Sequence, residues 1–343
     1  MNARQRLILL LLAGALVLAV VVSAGTGALP IGPGELLAMT GIGDAPFTDR
    51  QVAVLTVVRL PRVLLAVLAG AALAVGGAAM QALFRNPLAD PSIIGISSGA
   101  GLSAAVAITA SAPLGAWLGQ QAGIVVLPSM AFLGAFVTAM LVFGISRDGG
   151  RTSVPAMLLA GIGITAITGA LTGLLTFTAS ESQLRSITFW MLGSLGGADR
   201  TALIILLVAV PLPLWVVLRS HRQLNTMALG EAQARYLGVD PEKVKRQVVL
   251  ATSIMVGATV ALCGVIGFIG LVVPHVLRMM GGADNRYLLL GSLLGGALLL
   301  SLADTLARTL AAPAEIPIGV ITALCGAPVF LALLMQRKHS LIA

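Results

Sequence analysis

The chain has 343 residues, of which 58% are hydrophobic and 10% charged, and 21 Lys and Arg against 13 Asp and Glu give a formal net charge of +8. Soluble domains carry about 25% charged residues, so this composition, with a mean hydropathy of +1.01, excludes a water-soluble globule. It points to one polytopic membrane domain over residues 1–343, in which the excess of positive charge sets topology and is not a nucleic-acid surface.

A membrane-crossing helix needs about 20 apolar residues. MNARQR leads into an apolar run at Leu7–Ala24, after which SAGTGA imitates a signal-peptide cleavage site. A run of about 18 residues is longer than a signal-peptide core and long enough to span, so an uncleaved first helix is expected. Further spans are expected at 62–83, 93–110, 124–145, 154–178, 201–218, 247–267, 287–310 and 316–335. The short apolar segment 268–280 reads as a half-length helix buried within the bundle. Ten helices result, an even number that places both termini on one side.

Lys and Arg decide which side. Fifteen fall in the loops that hold Arg4, Arg6, Arg85, Arg147, Arg151, Arg219 to Arg246, Arg278, Arg286, Arg337 and Lys338, and six in the others (Arg50, Arg59, Arg62, Arg185, Arg200 and Arg308). The richer set is expected to be cytoplasmic. A weak repeat at an offset of 187 residues matches Gly70, Ala71, Ala74, Gly77 and Pro87 with Gly257, Ala258, Ala261, Gly264 and Pro274. The copies lie an odd number of crossings apart, as in the inverted halves of many transporters.

The longest hydrophilic island is Arg219 to Arg246, with six positive and three negative charges between two membrane segments. It reads as a docking surface in the cytoplasm. Within it Glu231 and Arg235 stand at i, i+4 on one helix face. Residues 241–246 are expected to begin the seventh helix, with basic side chains that fix orientation.

Enzyme chemistry has no foothold. The chain lacks G-x-x-x-x-G-K-[ST], H-E-x-x-H and paired carboxylates in an apolar segment, so neither an ATP site of its own nor a polar catalytic cluster is expected. No metal set or bound cofactor is expected, and Cys263 and Cys325 read as small core residues. A secondary transporter or channel would want a relay of intramembrane acids, and Asp304 alone qualifies. It sits at i, i+4 from Arg308, as a structural pair or with Arg308 turned outward to a partner. His275 beside Pro274 reads as a capping or packing residue.

Three further stretches carry polar groups at membrane ends. Arg59-Leu60-Pro61-Arg62 puts two arginines on the poorer side, where they suit lipid phosphate or carboxylates of an external protein. Gln81 to Pro91 closes the second span with a rigid polar turn, well placed for a gate, that includes Asn86. Ser180 to Trp190 combines an interfacial aromatic anchor with Arg185, which suits an anionic substrate arriving from outside.

Together, RLPR at 59–62, QALFRNPLADPSIIGISSGAG at 81–101, FWMLGSL at 189–195, LGEAQARYLGV at 229–239, GFIGLVVPHVLRMMGGADNR at 267–286, ADTLAR at 303–308 and EIPIGVITALCGAPVFLALL at 315–334 resemble the FecCD family of ABC importer permeases. The resemblance implies a homodimer of ten-helix subunits in the bacterial inner membrane, with a path along the dimer axis. Two separate ATPase subunits, which hold ATP and Mg, and a periplasmic binding protein complete the assembly. It implies docking of the binding protein by Arg59, Arg62 and Arg308, and a path or gate at Gln81, Asn86 and Arg185. The ATPase groove would receive Leu229, Gly230, Glu231, Ala232, Arg235 and Gly238. The run Gln183 to Ser186 followed by Phe189 and Trp190 is similar to haem permeases. Haem, with two propionates and a flat apolar body, is therefore the expected cargo; a ferric siderophore or cobalamin is the alternative.

Overall fold

The computed structural model describes residues 1–27, 29–39, 41–110 and 122–342. Stretch 111–121, between the third and fourth expected spans, lies outside the described residues. In chain order the helices are α1 (Ala3–Gly25), α2 (Pro33–Met39), α3 (Asp49–Ala53), α4 (Leu60–Phe84), α5 (Ile96–Thr109), α6 (Ala122–Ile145), α7 (Val154–Thr178) and α8 (Glu181–Met191). They continue as α9 (Arg200–Ala209), α10 (Pro211–Arg219), α11 (His221–Ala228), α12 (Glu231–Tyr236), α13 (Pro241–Cys263), α14 (Ile269–Gly281), α15 (Asn285–Thr309) and α16 (Ile318–Ile342). A two-residue hairpin, β1 (Arg147–Asp148) with β2 (Arg151–Thr152), joins α6 to α7. Among the described residues seven helical stretches are long and apolar enough to cross a membrane, and three shorter apolar helices accompany them.

Helix α4 is the axis of the bundle. Nearly every residue from Val63 to Phe84 is buried, and α13, α14 and α15 pack around it. Its composition explains this: without a hydrophobic force between helices in lipid, association relies on close packing, which small residues permit. A Cβ at Gly70 would overlap the Gly296 carbonyl, and one at Gly77 would overlap that of Gly270. By contrast α7 leaves Leu159, Ile162, Ile167, Leu174 and Phe177 exposed, an apolar face suited to lipid or to another membrane helix.

Several boundaries depart from the apolarity reading. The second span starts not at 62 but at Asp49, where Thr48 and Gln51 form a capping box; a π-helical turn, Val54–Arg59, carries the helix into α4. The expected span 201–218 is two helices meeting at Val210, ahead of Pro211. Residues 241–246 do begin α13, where Asp240 Oδ1 accepts from the Glu242 and Lys243 amides at 3.0 and 3.3 Å. That helix stops at Cys263 instead of running to 267, because Gly264 turns the chain at φ +70°. Capping chemistry fixes these ends, and hydropathy does not register it. The repeat thus pairs mid-helix Gly77 with helix-terminal Gly264. His275 lies buried inside α14, away from the helix start where it could cap. Cys263 is buried, but Cys325 is exposed and lines an apolar cleft of about 280 Å³ with Phe268 and Val272.

Candidate functional site

The sequence-derived candidates fall at the two ends of the bundle. At the end opposite the hydrophilic island, the three arginines form one cluster with two acids. Arg59 is 4% exposed. Its Nη1 donates to the carbonyls of Ala24 and Gly25 at 2.8 and 2.9 Å, and its Nη2 to that of Leu29. Arg308 donates from Nη1 to the Thr26 carbonyl at 3.0 Å and from Nη2 to the carbonyl and hydroxyl of Ser23, with its Nε 3.5 Å from Asp304 Oδ2. Arg62 reaches Asp304 through Nε at 3.0 Å and Glu315 through Nη1 at 2.7 Å and Nη2 at 3.0 Å. All three were expected to face an external protein; within this chain all three are turned inward. Arg59 and Arg308 hold the orphan carbonyls at and just past the end of α1, which no intrahelical donor can reach, whereas Arg62 is held by the two carboxylates.

Three guanidiniums against two carboxylates leave the cluster with one net positive charge. Glu315 is its open edge, with 43% of its side chain exposed. The Arg62 hydrogen bond holds the Glu315 carboxyl below the usual carboxylate range, outweighing partial burial that pushes it up. Asp304 and Arg308 are thus paired within the arginine cluster, and the remaining Arg308 nitrogens bind groups at the end of α1 in this chain.

Nearby on the same end, Ser180 and Gln183 cap α8 reciprocally. Arg185 stands out from this helix, 3.3 Å from Glu181 Oε1, between exposed Leu184 and Phe189. Gln183 Nε2 donates to the Thr109 carbonyl at 3.1 Å, which fastens α8 to α5. The result is an exposed helix that offers a guanidinium flanked by apolar side chains.

Gln81 and Asn86 lie at the other end of the bundle, so the three path candidates do not converge within one subunit. Gln81 is buried, donating from Nε2 to the carbonyls of Gly270 and Leu271 at 3.3 and 3.2 Å and accepting from Arg278 at 3.0 Å. It joins α4 to α14. Asn86 follows Arg85, whose φ of +49° ends α4. Its Oδ1 accepts from the Leu88 amide at 3.0 Å and its own amide donates to the Gln81 carbonyl at 3.1 Å, which makes the expected rigid turn.

The island folds as α11, α12 and the start of α13. Gly230 and Gly238 bracket α12 at φ +129° and +80°, conformations that cost a side-chain-bearing residue more than glycine. Leu229, Tyr236 and Leu237 point into solvent, Tyr236 with 92% of its surface exposed. Ala232 and Arg235 are also exposed. Glu231 does not pair with Arg235. Both its carboxylate oxygens lie 2.9 Å from Lys245 Nζ, because Lys245 is 1% exposed and takes every acceptor within reach.

Sequence reasoning missed this lysine, having read it as a topology charge, and missed its neighbours Thr152 and Glu242. It also missed Asn225, which bridges α11 to Asp284 Oδ1 at 2.9 Å and accepts from Asn285 at 2.9 and 2.8 Å. Burial pushes the Asp284 carboxyl up, but hydrogen bonds from Asn225 and the Arg286 amide leave it below its ordinary range. The i, i+3 spacing of Glu242 and Lys245 was the one local signal available. Between α4's end and the hairpin opens a cleft of about 610 Å³, lined by Phe84, Arg85, Arg151, Thr152 and Glu231.

Comparison with known proteins adds the context for these two ends. The profile of the FecCD transport family matches residues 15–336. The hemin transport system permease protein HmuU of Yersinia pestis is 48% identical over 286 residues, covering 82% of this chain and 83% of the relative. The vitamin B12 import system permease protein BtuC of Escherichia coli O9:H4 (strain HS) is 41% identical over 332 residues, covering 96% and 95%. A solved structure described as an inward-facing metal-chelate type ABC transporter superposes with a TM-score of 0.83 at 33% identity, covering 96% of this chain and 99% of that one.

Proposed function

The chain belongs to the FecCD transport family, and on that premise we propose that this ABC importer permease moves haem from the periplasm to the cytoplasm. The observation that carries the haem reading is the 48% identity to a hemin permease. The chemistry of α8 agrees with it. An exposed guanidinium between apolar side chains suits a flat apolar cargo with two carboxylates, and α8 carries no histidine or cysteine to hold the iron and slow release.

In this reading two copies of the chain pair across a central path in the inner membrane, each with ten crossings in two inverted halves and both termini in the cytoplasm. Two ATPase subunits supply ATP and Mg. They would grip Leu229, Gly230, Glu231, Ala232, Arg235 and Gly238, where the solvent-facing Leu229, Tyr236 and Leu237 offer apolar anchors. A periplasmic binding protein would dock on the positive cluster of Arg59, Arg62 and Arg308, with its acids competing for the place of Glu315. Gln81 and Asn86 would brace the cytoplasmic gate and Arg185 the entrance.

The test is uptake into vesicles that hold the purified complex, with haem, a ferric siderophore and cobalamin offered through the cognate binding protein. Haem uptake that stops with an ATPase-dead partner supports the reading. Uptake that continues with the dead ATPase overturns ATP-driven import, and import of cobalamin or siderophore without haem overturns the cargo. The relatives that carry vitamin B12 at 41% identity favour cobalamin as the second cargo to try.

A further inference from the structure

Lys245 is the most deeply buried charge at the island end, and neither the docking surface nor the path uses it. Its ammonium has three acceptors: the Thr152 carbonyl at 2.7 Å, Glu231 at 2.9 Å and Glu242 at 2.9 Å. Glu242 in turn accepts from the Thr152 amide at 3.0 Å and from its hydroxyl at 2.7 Å. Three chain segments, one of them 93 residues away in sequence, therefore meet at one nitrogen. Glu231 opens α12, Thr152 ends the hairpin and leads through Ser153 into α7, and Lys245 and Glu242 belong to α13.

The ends of this junction differ in what they face. Helix α12 presents Tyr236 and Leu237 to solvent, whereas Thr152 is buried beneath it. Ser153 caps α7, accepting from the Ala156 amide at 3.3 Å, and α7 runs straight to α8 and Arg185. A push on α12 can thus reach the far end of α7 through bonded groups. A buried ammonium is suited to this task. It is strongly held where all three acceptors are present, and losing one leaves a buried N–H unsatisfied.

We propose that Lys245 is the positioning residue that couples α12 to the β1–β2 hairpin and α7, so that ATPase movement at α12 is delivered to the membrane helices. The inference rests on the reading of α12 as the ATPase contact. Lys245 touches neither ATPase nor cargo in this scheme and acts through Glu231 and Thr152. Asn225 makes a separate tie, from α11 to the α14–α15 turn, and is the natural control.

The experiment uses the complete complex in vesicles and reads ATP hydrolysed per cargo imported. Lys245→Met is expected to co-purify with the ATPase and hydrolyse ATP, with the ratio raised about tenfold or more; Lys245→Arg, which keeps a donor for all three oxygens, is expected to restore it to within about twofold. An unchanged ratio in an assembled Lys245→Met complex overturns the proposal, as does a Lys245→Arg variant as uncoupled as Lys245→Met. Hydrogen exchange of the wild-type complex decides the matter even where Lys245→Met does not assemble. Adding ATP should change protection of 147–153 and 231–236 together, and a change in 231–236 alone overturns the coupling. A wild-type complex without ATP-dependent uptake would instead sink the importer reading itself.

Discussion

Arg62 and Asp304, 242 residues apart in sequence, are joined by a two-point contact, Nε to Oδ1 at 3.0 Å and Nη2 to Oδ1 at 2.9 Å. This bond closes α4 onto α15 at the end opposite the island, just as Gln81 and Arg278 close α4 onto α14 at the other. The central helix is thus pinned by polar bonds at both ends and by glycine contacts between them.

Removing one side of a buried ion pair strands the other in a site that cannot solvate it. Asp304→Ala leaves Arg62 with Glu315 alone and Arg308 without its carboxylate. It is expected to cost about 3–5 kcal/mol, measured as a fall in thermal stability of the purified protein in detergent.

Glu315 behaves differently because it is half in water. Glu315→Gln releases the Arg62 fork for an incoming acid. Association with the binding protein at low ionic strength is expected to tighten about two- to fivefold, and the gain should fade as salt screens the exposed charges. Titration calorimetry or surface-based binding at two salt concentrations measures it. Unchanged affinity would remove Arg62 from the docking surface.

The same glutamate sets a pH dependence. Its folded-state value lies below the ordinary carboxylate range, so its bond to Arg62 contributes fully at pH above that range and is lost as pH falls through the lowered folded value. The difference in melting temperature between wild type and Glu315→Gln should therefore stay constant from neutral pH down to the usual carboxylate range and shrink only below it.

Gly77 faces the Gly270 carbonyl across the α4–α14 contact, with no room for a Cβ. Gly77→Ala is expected to cost about 1–3 kcal/mol through overpacking, seen as reduced thermal stability and a smaller monodisperse fraction in size-exclusion chromatography. Gly173→Ala, where open space surrounds the position, should be neutral or mildly stabilising by the same assays.

Arg185 is exposed and only loosely paired with Glu181. Arg185→Ala is expected to slow haem uptake about two- to fivefold, the scale of one exposed ion pair, while leaving an uncharged cargo less affected. Parallel transport assays with haem and cobalamin give the comparison. Equal loss for both would take Arg185 out of charge recognition.

Much of this protein was legible one segment at a time. The apolar runs located most of the membrane helices, because a bilayer demands about 20 apolar residues wherever it is crossed, but they missed the polar-capped start of the second span at Asp49. The island 219–246 stood out for the same reason, and the motif order from 59 to 334 identified the family. Helix ends were less legible: Thr48, Asp240 and Gly264 set them by capping and by positive φ, which hydropathy does not weigh.

Pairings were not legible at all. Glu231 had a local partner available in Arg235 one turn away, and the fold gave it Lys245 from the next helix. Arg59, Arg62 and Arg308 read as outward-facing charges, yet the returning end of α1 and the loop at Glu315 enclosed them. Composition determined that the chain must live in a membrane and where it crosses, since the cost of placing each residue type in hydrocarbon belongs to the residue itself. Which charge meets which was decided only by the tertiary structure, because a buried ion takes the acceptors that packing brings to it, however far apart they lie in the chain.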